Sequence, residues 1–249
     1  MRAIFSAWLI SVSILTSAAS AQTVGQTYRD RIQLETSIAS KIQVPLPEGD
    51  WLVVAKDFGR STVSNVRRYR IRLVQVSDRV LKGYIFIGTN DELANYGWTI
   101  PDYCTRTNTF YREPVDTRGF SAERGYDCLV INHVQMTSGS KASTGVQAFY
   151  DWVWKNTTGM PTTMIASSFL ISDGKRYVEA VYHRNPEAEG FAAPRDSAWR
   201  SSDWHKDRLP ADPKKLAYME SIKLWAVHWR PLVEDGFHGR LPERITTDR

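Results

Sequence analysis

A hairpin signal in the second half of the chain constrains its fold more than any other feature. Ser172-Asp173-Gly174-Lys175 separates Met164–Ile171 from Arg176–His183, and Asp-Gly is a favoured pair for the type I′ turn that closes two antiparallel strands. A second run, Arg68 to Val76, alternates, with Tyr69, Ile71 and Leu73 on one side and Arg68, Arg70 and Arg72 on the other. Alternation of period two predicts a half-buried strand with a basic outer face. Val80–Ile87 returns beside it through Ser77-Asp78-Arg79, which predicts another hairpin.

Two further strands are expected. One is Trp51–Ala55, after the turn Val44-Pro45-Leu46-Pro47-Glu48-Gly49-Asp50, and the other is Cys128–Met136. Thr89-Asn90-Asp91-Glu92 has capping-box spacing and predicts a short helix into Tyr96. Thr144-Gly145-Val146-Gln147 repeats that logic before Val146, Phe149, Tyr150 and Val153, which sit at helical spacing. Asp212 and Pro213 open an amphipathic helix in which Tyr218, Ile222, Trp225 and Trp229 form one stripe. Pro231 disturbs it, so its span is placed at about 213–229, and Gly236 with Gly239 marks a turn before a polar tail. Residues 22–41 are polar, with weak helical spacing at Ile32, Leu34 and Ile38, and are taken as an N-terminal arm. The expected fold class is α+β: one domain over 42–249, an antiparallel sheet covered by a few helices and tied by a single disulfide.

The disulfide follows from the first twenty-one residues. Arg2, an apolar run from Ala3 to Leu15, and Ala19-Ser20-Ala21 form an export signal cleaved near Ala21–Gln22. The run is broken by Ser6, Ser11 and Ser13 and falls short of the roughly 20 residues that span a bilayer. No cysteine stands near Ala21 to take a lipid. The mature chain is therefore expected in the periplasm or outside the cell, with no transmembrane segment. Its composition, 24% charged and 42% hydrophobic, is ordinary for a globular protein, and nine Trp residues are the outlier. Cys104 and Cys128, the only cysteines, are expected to pair in that oxidising compartment. Closing a loop of about 25 residues stabilises the fold by roughly 3.5 kcal/mol in the chain-entropy account. The competing reading makes Cys104 a nucleophile with His133 as its base.

In its order of elements, Val44 to Asp57 leading into a first strand, a central hairpin and a terminal helix bearing Trp225 and Trp229, the chain resembles uncharacterised exported proteins of proteobacteria. That likeness spans most of the mature chain. Its layout is similar to PsbP-like sheets covered by helices. Neither likeness implies a role for any residue.

Catalytic signatures are missing from the linear sequence. His133, His183, His205, His228 and His238 show no metal-ligand spacing, and Glu179 and His183 on one strand stand about 13 Å apart. No metal or cofactor is expected. The G-x-S-x-G elbow, the P-loop and the dinucleotide fingerprint are absent. Arg68, Arg70 and Arg72 can attract anionic groups or simply solvate a strand face. Arg118-Gly119-Phe120 and Arg124-Gly125-Tyr126 resemble a nucleic-acid motif, but export and a net charge of only +5 argue against that partner. Asn156-Thr157-Thr158 matches a glycosylation sequon that a bacterial origin makes accidental.

Trp199, Trp204 and His205 stand in a long loop, Asn185 to Pro213, that carries four prolines. Two readings apply: an exposed recognition surface, or a lid that folds back and buries both rings. Function then divides three ways. The first is a non-enzymatic envelope protein that binds a partner protein, polymer or small ligand. The second is a hydrolase or transferase whose site has no linear motif, and the third is a structural or assembly-helper protein.

Overall fold

The computed structural model describes residues 22–245 apart from 37, 39–40, 62–64, 95–97, 99, 114–124, 137–142 and 197. The leader 1–21, Tyr96, Arg118-Gly119-Phe120 and Arg124 lie outside the described residues.

Alternating apolar residues generate an eight-stranded sheet in which every pairing is antiparallel. Its order is β1 (Thr27–Tyr28), β4 (Trp51–Arg60), β5 (Arg67–Ser77), β6 (Val80–Asn90), β10 (Tyr177–Arg184), β9 (Thr163–Ser172), β8 (Tyr126–Gln135) and β7 (Tyr111–Arg112). The two edge strands are only two residues long, which leaves little unpaired backbone to recruit another chain. β2 (Arg31–Gln33) and β3 (Gln43–Pro45) form a separate ribbon. The helices are α1 (Asp102–Thr105), α2 (Thr144–Asn156) and α3 (Pro213–Phe237). The fold class is α+β, with a disulfide between Cys104 and Cys128.

The expected hairpins form with their turns exchanged in type. Asp78 and Arg79 have φ of 52° and 60°, the consecutive left-handed pair of a type I′ turn between Ser77 and Val80. At Asp173-Gly174 only Gly174 has positive φ, and four residues separate the paired Ser172 and Tyr177. Asp173 Oδ1 accepts from the Lys175 and Arg176 amides instead, which closes the loop through a side chain.

Four further expectations are corrected. Residues 22–41 are no arm, because Ile32 and Leu34 are fully buried in the main core. Gln22 is itself 1% exposed: its backbone nitrogen donates to Glu35 Oε2 at 2.7 Å, its carbonyl accepts from Lys56 Nζ at 2.9 Å, and its side-chain oxygen accepts from the Tyr69 hydroxyl at 2.7 Å. Thr89 and Asn90 start no helix; they end β6, where Thr89 Oγ1 donates to the Tyr177 carbonyl and Asn90 Oδ1 accepts the Tyr177 amide. Ser143, not Thr144, caps α2. Finally, α3 passes Pro231 and continues to Phe237, because Trp229, Val233 and Phe237 recur every four residues and each is 1% exposed.

The two faces of the sheet are covered differently. Tyr69, Ile71, Leu73, Ile85, Ile131 and Phe169 form one continuous core with α3 and the β2–β3 ribbon. The other face carries two apolar patches, one beneath α2 and one around the disulfide and Trp98. Among the described residues no helix is long and apolar enough to cross a membrane.

Candidate functional site

The long loop after β10 is shaped by its anchors. Asn185 caps a short 3-10 turn, its Oδ1 accepting from the Glu187 amide while its Nδ2 donates to the Leu81 carbonyl. Gly190, at φ 88°, turns the chain and sends Phe191 onto Trp204. Trp204 is 0% exposed, packed by Phe191 and Tyr218 with Lys215 Nζ 5.3 Å above its ring. Its place on an exposed recognition surface is therefore corrected: this ring is the root of the loop, and the apolar area it buries holds the loop down.

Trp199 and His205 have a different setting. The Trp199 indole stacks on the His133 imidazole, centroids 5.1 Å apart and planes 12° off parallel, and meets the His205 ring edge-on at 4.8 Å. Its Nε1 donates to the His133 carbonyl at 3.3 Å, and its own carbonyl lies 2.9 Å from His133 Nε2. A carbonyl only accepts, so that nitrogen carries the proton and Nδ1 is left as a buried acceptor. Burial pushes the His133 pKa below the ordinary imidazole value; the Trp199 hydrogen bond opposes the shift and the nearby His205 adds to it. His205 is 7% exposed and its Nδ1 accepts the Asp207 amide.

These groups wall a cleft of about 470 Å³ lined by Asn108, Trp199, Arg200, His205, Asp207 and Arg208. Asp207 Oδ2 stands 3.5 Å from His205 Nδ1. Arg200 and Arg208, both exposed, form no ion pair among the described residues. A second cleft of about 550 Å³ shares Asp207 and Arg208 and adds Arg195, Asp203, Asp212 and Lys215. An indole edge beside exposed guanidiniums suits a flat or ring-bearing anion. Among the described residues no group of three or more His, Cys, Asp or Glu side chains is placed to hold a metal ion.

Arg68, Arg70 and Arg72 are separate from this cleft, on the sheet face that α2 covers. Their expected solvated face is corrected at Arg72, which is 5% exposed, while Arg68 and Arg70 keep partial exposure. Arg70 Nη2 lies 2.7 Å from Asp57 Oδ2 and Arg72 Nη1 3.0 Å from Asp57 Oδ1. The first turn of α2 closes over them at Gly145, where an added Cβ would stand 2.3 Å from Asp57 Oδ1.

The thiol reading also falls. Cys104 is bonded to Cys128, and Cys128 and His133 belong to opposite faces of β8 by the odd spacing between them. The site depends on one contact that the linear reading missed: His133 meets Trp199 across 66 residues. Glu179, which the sequence singled out with His183, stands apart from this cleft, in β10 beside Tyr103.

Compared with protein-family models, curated proteins and solved structures, the chain matches none of them.

Proposed function

We propose that this chain is an exported, non-enzymatic binding protein of the bacterial envelope that seats a small ring-bearing anion in the Trp199–His205 cleft. The observation that carries this reading is the cleft, where the partly exposed Trp199, fixed at both its ring nitrogen and its backbone carbonyl, stands beside the exposed Arg200 and Arg208, which form no ion pair among the described residues. Such preorganisation lowers the ordering cost of binding. The lining offers recognition groups, and no Ser, Thr or Cys among them meets an imidazole. Gln22 supports the processing step: a free ammonium at its nitrogen would face the Glu35 carboxylate.

Thermal-shift measurements on the protein beginning at Gln22, against a panel of aromatic phosphates and sulfonates, test the reading. At least one anion should raise the melting temperature of the native protein and leave Trp199→Ala and Arg208→Gln unmoved. Equal shifts in all three proteins, or none in any, defeat it. Intact-mass analysis of periplasmic material tests export, with retention of residues 1–21 as the contrary result.

A further inference from the structure

The sheet face opposite α3 carries a polar band between its two apolar patches. Val54, Val74 and Leu81 lie under α2, which sets Phe149 against them, and at the other end lie Val66, Trp98, Tyr126 and the disulfide. Strand register fixes what runs between them. Arg70 opposes Gly88, which opposes Glu179 on the next strand, and Arg72 opposes Phe86, which opposes Val181 and then Ser168. Arg70, Phe86, Ser168 and Glu179 all keep partial exposure, so solvent reaches a trough that the apolar patches flank.

Two features of this trough point to a missing partner. Among the described residues Arg68 Nε and Arg70 Nε are buried without a hydrogen-bond acceptor, although Arg70 meets Asp57 through Nη2 and buried donors are nearly always paired. Arg68 forms no ion pair among the described residues; its Nη2 rests on Ser61 Oγ, and its guanidinium lies 5.6 Å from both the Trp98 and Tyr177 rings. Opposite them, Tyr103 donates its hydroxyl to Glu179 Oε1 at 2.8 Å. Gly88 keeps the floor low: an added Cβ there would stand 3.2 Å from the Phe86 ring and 3.7 Å from Glu179 Oε2.

We infer that this trough is a second binding site, for a small carboxylate with a flat apolar body. The carboxylate sits between the Arg68 and Arg70 guanidiniums, and the body lies along the edge of Phe86, whose ring face Arg72 covers at 5.3 Å, with Glu179 beside it. Asp57 neutralises one of the three arginines on this face, which leaves a net positive pair to attract an anion. Burial raises the Glu179 pKa, against the pull of the Tyr103 bond and of Arg68, so the acid keeps its proton above the ordinary glutamate range and does not repel the guest. The groups that face it are Tyr103 from α1, Tyr126 from β8, Tyr177 from its own strand, and Arg68 and Arg70 from β5. Burial raises all three tyrosines, so Glu179 is the titrating member. As pH climbs through its raised value, ionised Glu179 repels the guest and affinity falls.

Calorimetric titration of the oxidised protein beginning at Gln22 decides the matter, with benzoate as the probe and benzamide as its neutral isostere. Benzoate should bind with one equivalent and at least about tenfold more tightly than benzamide, the discrimination a charge-assisted pair provides. Arg70→Gln should lose about that factor, and Glu179→Gln should keep the affinity while losing its pH dependence. Trp199→Ala should bind benzoate unchanged, which separates this site from the loop cleft. Failure of benzoate to saturate, equal binding of benzamide, or loss of benzoate binding in Trp199→Ala each overturns the inference. The comparison of the two probes needs no variant, so it stands even where Arg70→Gln fails to fold.

Discussion

Trp199 and Trp204, five residues apart in one loop, carry very different shares of the folding energy. Trp204 is wholly enclosed, so Trp204→Ala should lose about 3–5 kcal/mol in urea unfolding. Trp199 is partly exposed, and Trp199→Ala should cost only about 1 kcal/mol. Equal losses would contradict the distinction between root and cleft wall. Linear sequence could not separate the two rings, since both stand among polar residues without periodicity, and what distinguishes them is a partner far along the chain: Tyr218 for one and His133 for the other. His183 offers a second test at this scale. It stacks on Tyr84 with centroids 3.7 Å apart, and burial pushes its pKa down to about 3. Because the unfolded chain protonates near pH 6.5 and the folded one does not, stability should be intact above that pH and decline as pH falls toward 3, by on the order of 4 kcal/mol at the lower end. His183→Phe should flatten this slope in acid unfolding curves, and an unchanged slope would place the acid sensitivity elsewhere.

Among the elements, strands were legible where alternation was long. β5 sets arginines against Tyr69, Ile71 and Leu73, so a period of two is written into it; β9 and β10, buried on both faces, were legible instead from the Asp-Gly pair between them. β1, β2 and β3 hold two or three residues each, too short for any period to register. The capping pattern at Thr89 misled because the same polar side chains that cap helices also satisfy a neighbouring strand. Pro231 misled for a different reason: burial of Trp229, Val233 and Phe237 outweighs the hydrogen bond that the proline removes. Val227, whose carbonyl loses that bond, is 40% exposed, where water can replace it. Pro231→Ala should therefore stabilise the protein by roughly 1–3 kcal/mol in denaturant titration, and destabilisation would mean that the ring itself is needed. Replacing both Cys104 and Cys128 by Ser should remove roughly 3.5 kcal/mol by the same measurement, with β8 and the Trp98 patch loosened first in hydrogen exchange. Undiminished stability would show that packing alone holds that patch.

At the scale of the whole molecule, two antiparallel meanders, β4–β5–β6 and β7–β8–β9–β10, meet at the single seam between β6 and β10. The sheet order was only partly legible, because hairpins name sequential neighbours while the seam joins strands nearly ninety residues apart. The segment from Gln22 to Leu34 stitches across the first meander, with Gln22 held by Glu35, Lys56 and Tyr69. If the leader is cut before Gln22, the amide nitrogen at Glu35 becomes an ammonium in the same place. Protein starting at Gln22 should then be more stable by about 1 kcal/mol than a version prolonged by Ser20-Ala21, and Glu35→Gln should erase the difference in scanning calorimetry. Equal melting of the two versions would refute it. Hydrolysis of the leader would thus act as a one-way ratchet: the severed peptide bond does not re-form, and the charge it leaves behind pins the first residue to the sheet.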